Sequence, residues 1–296
     1  MGFDLSRAIA SAPAGATVDV PAGTWAGGLV VTRALTLRAA GAVVFDGQGA
    51  GPLLRINAEA EVTLEGFSFR NAVTLAGAGV FHEAGRLTLR DCSFTGCAAT
   101  GHGGGAVYSR GESLRIARCR FEGNEGRQGG AVLLDQLVEA TVEDSLFIAN
   151  RARRGAALRV KAGARAHLSF CTVAGNVLLG PPPRGASLEV APTLTRSPSL
   201  SLADTVWSEP LAGGEPGNLA LISAVRCVLP KEAPASGSND VCAAVFVGEG
   251  REPWRLVAGG PGTSLAGPCA GHRRDLEGHP RGPVAGAFSQ VGPSSR

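Results

Sequence analysis

Apolar residues alternate with polar ones in short bursts along most of this chain, and the bursts recur at a fixed distance. Segments 86–97 (RLTLRDCSFTGC), 113–124 (SLRIARCRFEGN), 139–150 (EATVEDSLFIAN) and 166–176 (AHLSFCTVAGN) align position by position. Leu89, Ile116, Val142 and Leu168 share one column; Cys92, Cys119, Ser145 and Cys171 a second; Phe94, Phe121, Phe147 and Val173 a third. The offsets are 27, 26 and 26 residues. Self-similarity at such a period is the mark of stacked repeats, each burying its apolar face on the next. An earlier copy lies at 61–72, where Leu64, Phe67 and Phe69 match Leu89, Cys92 and Phe94. A second short run follows in each repeat, beginning at Val80, Val107, Val132, Leu158 and Leu188. Alternation turns those residues inward with His82, Ser109, Leu134, Val160 and Val190. No segment of helical period separates the runs, so parallel strands must stack as successive turns of a coil.

The residues between the runs fit that picture. The tetrapeptides GAGV, GGAV, GGAV, GAAL and GASL precede the second runs, and their small residues suit tight corners. Asn124, Asn150 and Asn176 form a column able to pass hydrogen bonds between turns at about 4.8 Å. Charges alternate in sign up two further columns: Glu83, Arg110, Asp135, Lys161, and Asp91, Arg118, Asp144. Stacked opposite charges fix register. Residues 4–12 show Leu5, Ala8, Ile9 and Ala12 at helical spacing and predict a short helix. SLSLADTVW (199–207) predicts one more strand, with Leu200, Leu202 and Trp207 inward. Regular coiling is expected over residues 16–226 in roughly nine turns, making 1–226 a coil with its N-terminal cap, with a loop-rich closing segment over 227–296 belonging to the same domain.

These segments resemble right-handed parallel β-helix proteins of the pectin-lyase-like superfamily. They are most similar to bacterial proteins with polymorphic-outer-membrane-protein-type repeats, which share the pattern of CRFEGNEGRQGGAV (119–132). The opening 16–41 and the closing 261–288, with Asp275, Gly278, Pro280, Arg281, Gly286 and Ala287, resemble the superfamily's first turns and last segment. The resemblance implies an all-β, single-stranded right-handed parallel β-helix with a short N-terminal capping helix and an irregular C-terminal segment. Over function it leaves lyases, hydrolases, epimerases, adhesins and inert spikes all open.

Composition narrows this only a little. Glycine (43) and proline (18) fit a turn-dense chain, and a net charge of +3 gives no indication of nucleic-acid binding. No run of 18 apolar residues exists to span a membrane. The first residues, MGFDLSRAIASAPAG, do not read as a signal peptide, so the expectation is either a cytoplasmic protein or one whose signal preceded Met1. Of seven cysteines, Cys92, Cys119 and Cys171 read as buried thiols. Cys227, Cys242 and Cys269 fall in the closing segment, where a disulfide would need an oxidising compartment. No Cys/His spacing suggests a metal, and no cofactor is expected.

Candidate chemistry is sparse. A lyase of this fold would need a base beside an acidic calcium cluster, and the acids here are scattered singly among cations. Asp135 with Glu139 or Glu143 is the one local carboxylate set for a hydrolase, and a weak one. FDGQG (45–49) reads as a structural turn, His82 as a satisfied core residue, and His167 as outward without a partner. His102, in TGHGGG (100–105), is expected on a loop open to ligand. The segments after the phenylalanine column read as loops; they carry Arg127, Arg151, Arg153, Arg154 and Arg184 on successive turns, which would align as a basic edge for acidic polysaccharide or another anion. Phe81 and Tyr108 occupy an outward column one turn apart, suited to sugar stacking, to a partner contact or to packing under the closing segment. The leading expectation is a non-enzymatic secreted or cell-surface module binding carbohydrate or a surface protein. A polysaccharide lyase or glycoside hydrolase, and an intracellular assembly component, are the alternatives.

Overall fold

A computed structural model describes residues 2–180, 186–191, 197–203 and 205–207, and beyond them the strand backbones Ile222–Val225, Val228–Leu229 and Asp240–Val241. Each central turn lays down four short strands, called here the first to fourth sides. In one turn these are Val107–Ser109, Ser113–Ala117, Arg120–Glu122 and Glu125–Gln128; in the next, Val132–Leu134, Glu139–Glu143, Leu146–Ile148 and Arg151–Arg154. Every strand pairs in parallel with its counterpart one turn away, residue for residue, as in Leu114 with Ala140 and Phe121 with Phe147. The first three sides belong to one wrapped sheet, and the fourth forms a separate sheet from Val73–Ala76 to Val177–Leu178. The expected all-β parallel helix is what the chain builds.

The corners explain how so short a repeat closes on itself. Between the second and third sides a single left-handed residue turns the chain: Asp91, Arg118, Asp144 and Phe170 all have φ between 50 and 53°. Aspartate tolerates that region better than most residues, so one corner column carries both the turn and the alternating charge. Between the fourth and first sides Gly129 (φ 61°) leaves no room for a Cβ against the carbonyl of Val132, which is why glycine recurs there.

Inside, the columns read from the sequence are the core. Phe45, Phe69, Phe94, Phe121 and Phe147 stack face to face with centroids 4.7–5.4 Å apart. Leu200, Leu202 and Trp207 are buried above them. The asparagine column is a hydrogen-bonded ladder. Asn124 donates its backbone N–H and Nδ2 to Oδ1 of Asn150, and Asn150 does the same to Asn176, at 2.9–3.0 Å. Asn124 in turn accepts from the backbone N–H of Cys97, which holds the corresponding place one turn earlier. His82 is buried: Nε2–H donates to the carbonyl of Gly85 (3.1 Å) and Nδ1 accepts from the Ser109 hydroxyl (2.8 Å).

A helix, Leu5–Ser11, closes the N-terminal end, with Asp4 accepting from the backbone N–H of Arg7 and with Leu5 and Ile9 buried in the core. Ala8, expected on the same face, is half-buried. The second side stacks in succession through Ala16, Leu35, Val62, Leu87, Leu114, Ala140, Ala166, Leu200 and Ile222, while the fourth side begins only at Val73 and is last described at Leu178. One expectation needs correction. The segments after the phenylalanine column, read as loops, are strands of that fourth side, since their backbone groups pair with the turns above and below.

Candidate functional site: a polar groove on the second side

On the second side, strand alternation sends Leu87, Leu114, Ala140 and Ala166 into the core. The residues on either side of them face out and enclose a groove of about 530 Å³ running across successive turns. One outward column is a line of hydroxyls broken by two other donors: Thr36, Thr63, Thr88, Arg115, Thr141, His167 and Ser201 in register. The neighbouring column supplies Glu61, Arg86, Ser113, Glu139, Arg165 and Ser199. The His167 ring, expected to have no partner, meets the Ser201 hydroxyl through Nδ1 at 2.8 Å. The guanidiniums are held loosely: Arg115 to Glu143 at 3.3 Å, Arg165 to Glu139 at 3.5 Å and Arg86 to Glu112 at 3.7 Å, all three arginines more than half exposed. Pairs of this kind contribute at most about 1 kcal/mol each and exchange readily for a ligand's polar groups.

The three candidate carboxylates do not form a catalytic set. Asp135 lies on the first side, bonded to Lys161 (3.0 Å) and to the Tyr108 hydroxyl (2.9 Å). Glu139 and Glu143 lie on the second side, each tied to a different arginine. Burial pushes the Asp135 carboxyl up, but hydrogen bonds from Lys161 and Tyr108 outweigh it and hold the group below its ordinary value. That is an anchored carboxylate, not a proton donor. Among the described residues no three His, Cys, Asp or Glu side chains gather as a metal site.

The aromatic pair is assembled but not open. Phe81 and Tyr108 stack at 5.3 Å and 4°. Arg55 and Arg110 lie over Phe81 at 5.5 and 5.4 Å, both anchored on Glu83, and Tyr108 is only 8% exposed. The expectation of an exposed platform fails at Tyr108 because Asp135 draws its hydroxyl down; burial and that carboxylate raise the phenol to about 12. The basic edge is likewise partial. Arg151 stacks on Glu125 at 4.0 Å, and Arg154 turns away to Glu189 at 3.4 Å. Arg127 and Arg153 are exposed on the fourth side and meet no acid among the described residues, while Arg184 lies outside them. His102 is exposed but sits on the strand Ala98–Gly103, not on a loop. Cys227, Cys242 and Cys269 also lie outside the described residues; Cys92, Cys97, Cys119 and Cys171 are buried free thiols.

A family model described as a right-handed β-helix region matches residues 37–191, more than half of the chain. The protein belongs to the right-handed β-helix family. No curated protein and no solved structure matches it. The match spans the four-sided turns, the groove lining except Ser199 and Ser201, and most of the residues considered above.

The sequence reading missed one cluster. The outward column of the first side that starts with Phe81 and Tyr108 continues through Leu133 and Arg159 to Glu189. The Glu189 carboxylate is 1% exposed, between Arg154 (3.4 Å) and Arg159 (3.6 Å). Burial raises its pKa against the pull of both guanidiniums, and burial lowers that of Arg159. Extending the aromatic column by three turns would have found it. The groove was legible too, as the row of threonines that directly follow an inward residue: Thr36 after Leu35, Thr63 after Val62, Thr88 after Leu87 and Thr141 after Ala140. Among the described residues no helix is long and apolar enough to cross a membrane.

Proposed function

We propose that this β-helix is a non-enzymatic binding module that lays an extended carbohydrate chain along the second-side groove. The supporting observation is the groove itself: hydroxyl, guanidinium, carboxylate and imidazole groups repeat along one axis at about 4.8 Å, the spacing of stacked strands. A linear polymer rich in hydroxyls can satisfy such a row unit by unit, with Arg115 as a donor and His167 as a donor or acceptor at its centre. Acids and bases alternate there, so recognition rests on hydrogen bonding more than on net charge. An acidic polysaccharide would add ionic contacts with Arg86, Arg115 and Arg165. The exposed Arg127 and Arg153 supply a second, smaller anionic contact on the fourth side. Similarity of the repeats to pectin-lyase-like and polymorphic-outer-membrane-protein-type sequences supports a secreted or cell-surface, adhesin-like setting.

The test is a panel of neutral and acidic glycans presented to the wild type and to Arg115→Ala/His167→Ala. Binding of at least one glycan, weakened tenfold or more in the double variant and less than threefold in Arg151→Ala/Arg153→Ala/Arg154→Ala, is the expected result. Glycan binding that survives the groove substitutions would move the site elsewhere. Release of shortened or unsaturated sugars, with or without calcium, would overturn the non-enzymatic reading in favour of a lyase or hydrolase.

A further inference from the structure

The first turns of the coil lack a fourth side. There the chain passes from the third side to the first through tight corners, Ala26-Gly27-Gly28 and the segment Gly47 to Pro52, before the fourth-side sheet starts at Val73. The missing strands leave a cleft of about 550 Å³, lined by Thr24, Trp25, Asp46, Gln48 and these corners. The corners cannot thicken to fill it. A Cβ on Gly27 would run into Leu53 at 2.6 Å, and one on Gly47 into Ala72 at 2.6 Å.

The polar groups of the cleft are fixed in different degrees. Asp46 Oδ1 accepts from the backbone N–H of Gln48 (3.1 Å) and from Asn71 Nδ2 (3.4 Å), and Oδ2 accepts from Arg70 Nε (2.8 Å). The Gln48 and Arg70 hydrogen bonds hold the carboxyl below its ordinary range, so it stays ionised. A carboxylate has about four acceptor positions, so Oδ2 retains one for a further donor. Gln48 is exposed with a left-handed φ of 48°. Its side-chain amide, which can both donate and accept, has no hydrogen bond within the described residues. The Trp25 indole forms another part of the lining. It is anchored by a hydrogen bond from Nε1 to the carbonyl of Pro21 (3.1 Å), and the Phe3 ring braces it edge-on at 5.7 Å.

We infer that this cleft binds one sugar ring, or an equivalent polyhydroxylated ring, at the N-terminal end of the coil. A rigid indole offers an apolar surface to the C–H face of such a ring. A pre-oriented carboxylate accepts from a ring hydroxyl, and the free amide bonds a neighbouring one. One indole, one carboxylate and one free amide line the cleft, a set suited to one ring rather than to a chain. This pocket is separate from the second-side groove and stands whether or not the groove binds glycan.

The test follows intrinsic tryptophan fluorescence while glucose, galactose, N-acetylglucosamine and galacturonate are titrated into the full chain. The wild type is expected to show a saturable change with at least one of them. Trp25→Ala and Gln48→Gly should each weaken binding at least tenfold, whereas Arg115→Ala/His167→Ala should leave it unchanged. Trp25→Ala removes part of the packing on Phe3. Gln48→Gly keeps the left-handed backbone and removes only the amide, so its binding, read by calorimetry, decides the matter if the first variant unfolds. No saturable binding of any of the four sugars by the wild type, or undiminished binding in Gln48→Gly, overturns the inference.

Discussion

The inner and outer surfaces of the same β-helix wall carry ladders built on one geometry and differ in what those ladders contribute. Phe121 and Asn150 look inward and stack at the strand spacing on Phe94 and Phe147, and on Asn124 and Asn176. Arg118 and Asp91 face solvent and stack at the same interval, joined by two hydrogen bonds of 2.7 Å. Inside, no water competes, and a lost contact leaves a cavity or an orphaned polar group. Outside, water replaces whatever is lost. The core therefore sets stability, and the outer wall is free to take on recognition.

Four experiments probe this contrast, from the largest expected effect downward. Phe121→Ala removes the middle of the ring stack and should cost about 3–5 kcal/mol in urea unfolding; a loss below about 1 kcal/mol would mean that the rings are not a continuous core. His82 carries the next effect. Burial lowers its pKa to about 4 from 6.5, so between those values the unfolded chain takes up a proton that the folded chain refuses. Stability should fall as the pH drops from about 6.5 to about 4, approaching a total of about 3 kcal/mol, and should be insensitive to this group above 6.5. Comparing wild type with His82→Gln over that range isolates the slope; identical slopes would place the imidazole in water.

Asn150→Ala strips the acceptor from the Asn124 backbone N–H, one of two acceptors from its Nδ2, and the side-chain donor from the carbonyl of Phe121. The expected loss is about 2–3 kcal/mol, with hydrogen exchange quickened at Asn124; unchanged protection there would break the ladder reading. The smallest effect belongs outside. Asp91→Asn keeps a residue that tolerates the left-handed corner and weakens the bond to Arg118, and should cost no more than about 1 kcal/mol, diminishing with added salt. A loss as large as that of Asn150→Ala would erase the distinction between the two surfaces.

The inner surface was readable almost column by column. The phenylalanines, the asparagines, His82 with Ser109, and Leu200, Leu202 and Trp207 all face the core as alternation predicts. The outer surface was readable only in part. Asp91–Arg118, Glu83–Arg110 and Asp135–Lys161 do pair between turns as their alternating signs suggest. Tyr108, placed in an outward column with an open platform as one of its readings, is covered; Arg154 was expected on a free edge and is bound to Glu189. Burial of an outward residue depends on its neighbours in other columns, which sequence spacing does not reveal.

By itself the sequence determined the period, the inward columns and the register of this protein. Those follow from alternation within a strand and repetition between turns, and both are properties of the chain read in order. Only the tertiary structure decided which outward columns remain available. The second side stays open because its arginines pair loosely and remain exposed, the first side is closed by ion pairs reaching across from other turns, and the cleft at Trp25 exists because the fourth side starts late. Each of these depends on the relative placement of strands many residues apart, which is fixed only when the turns stack.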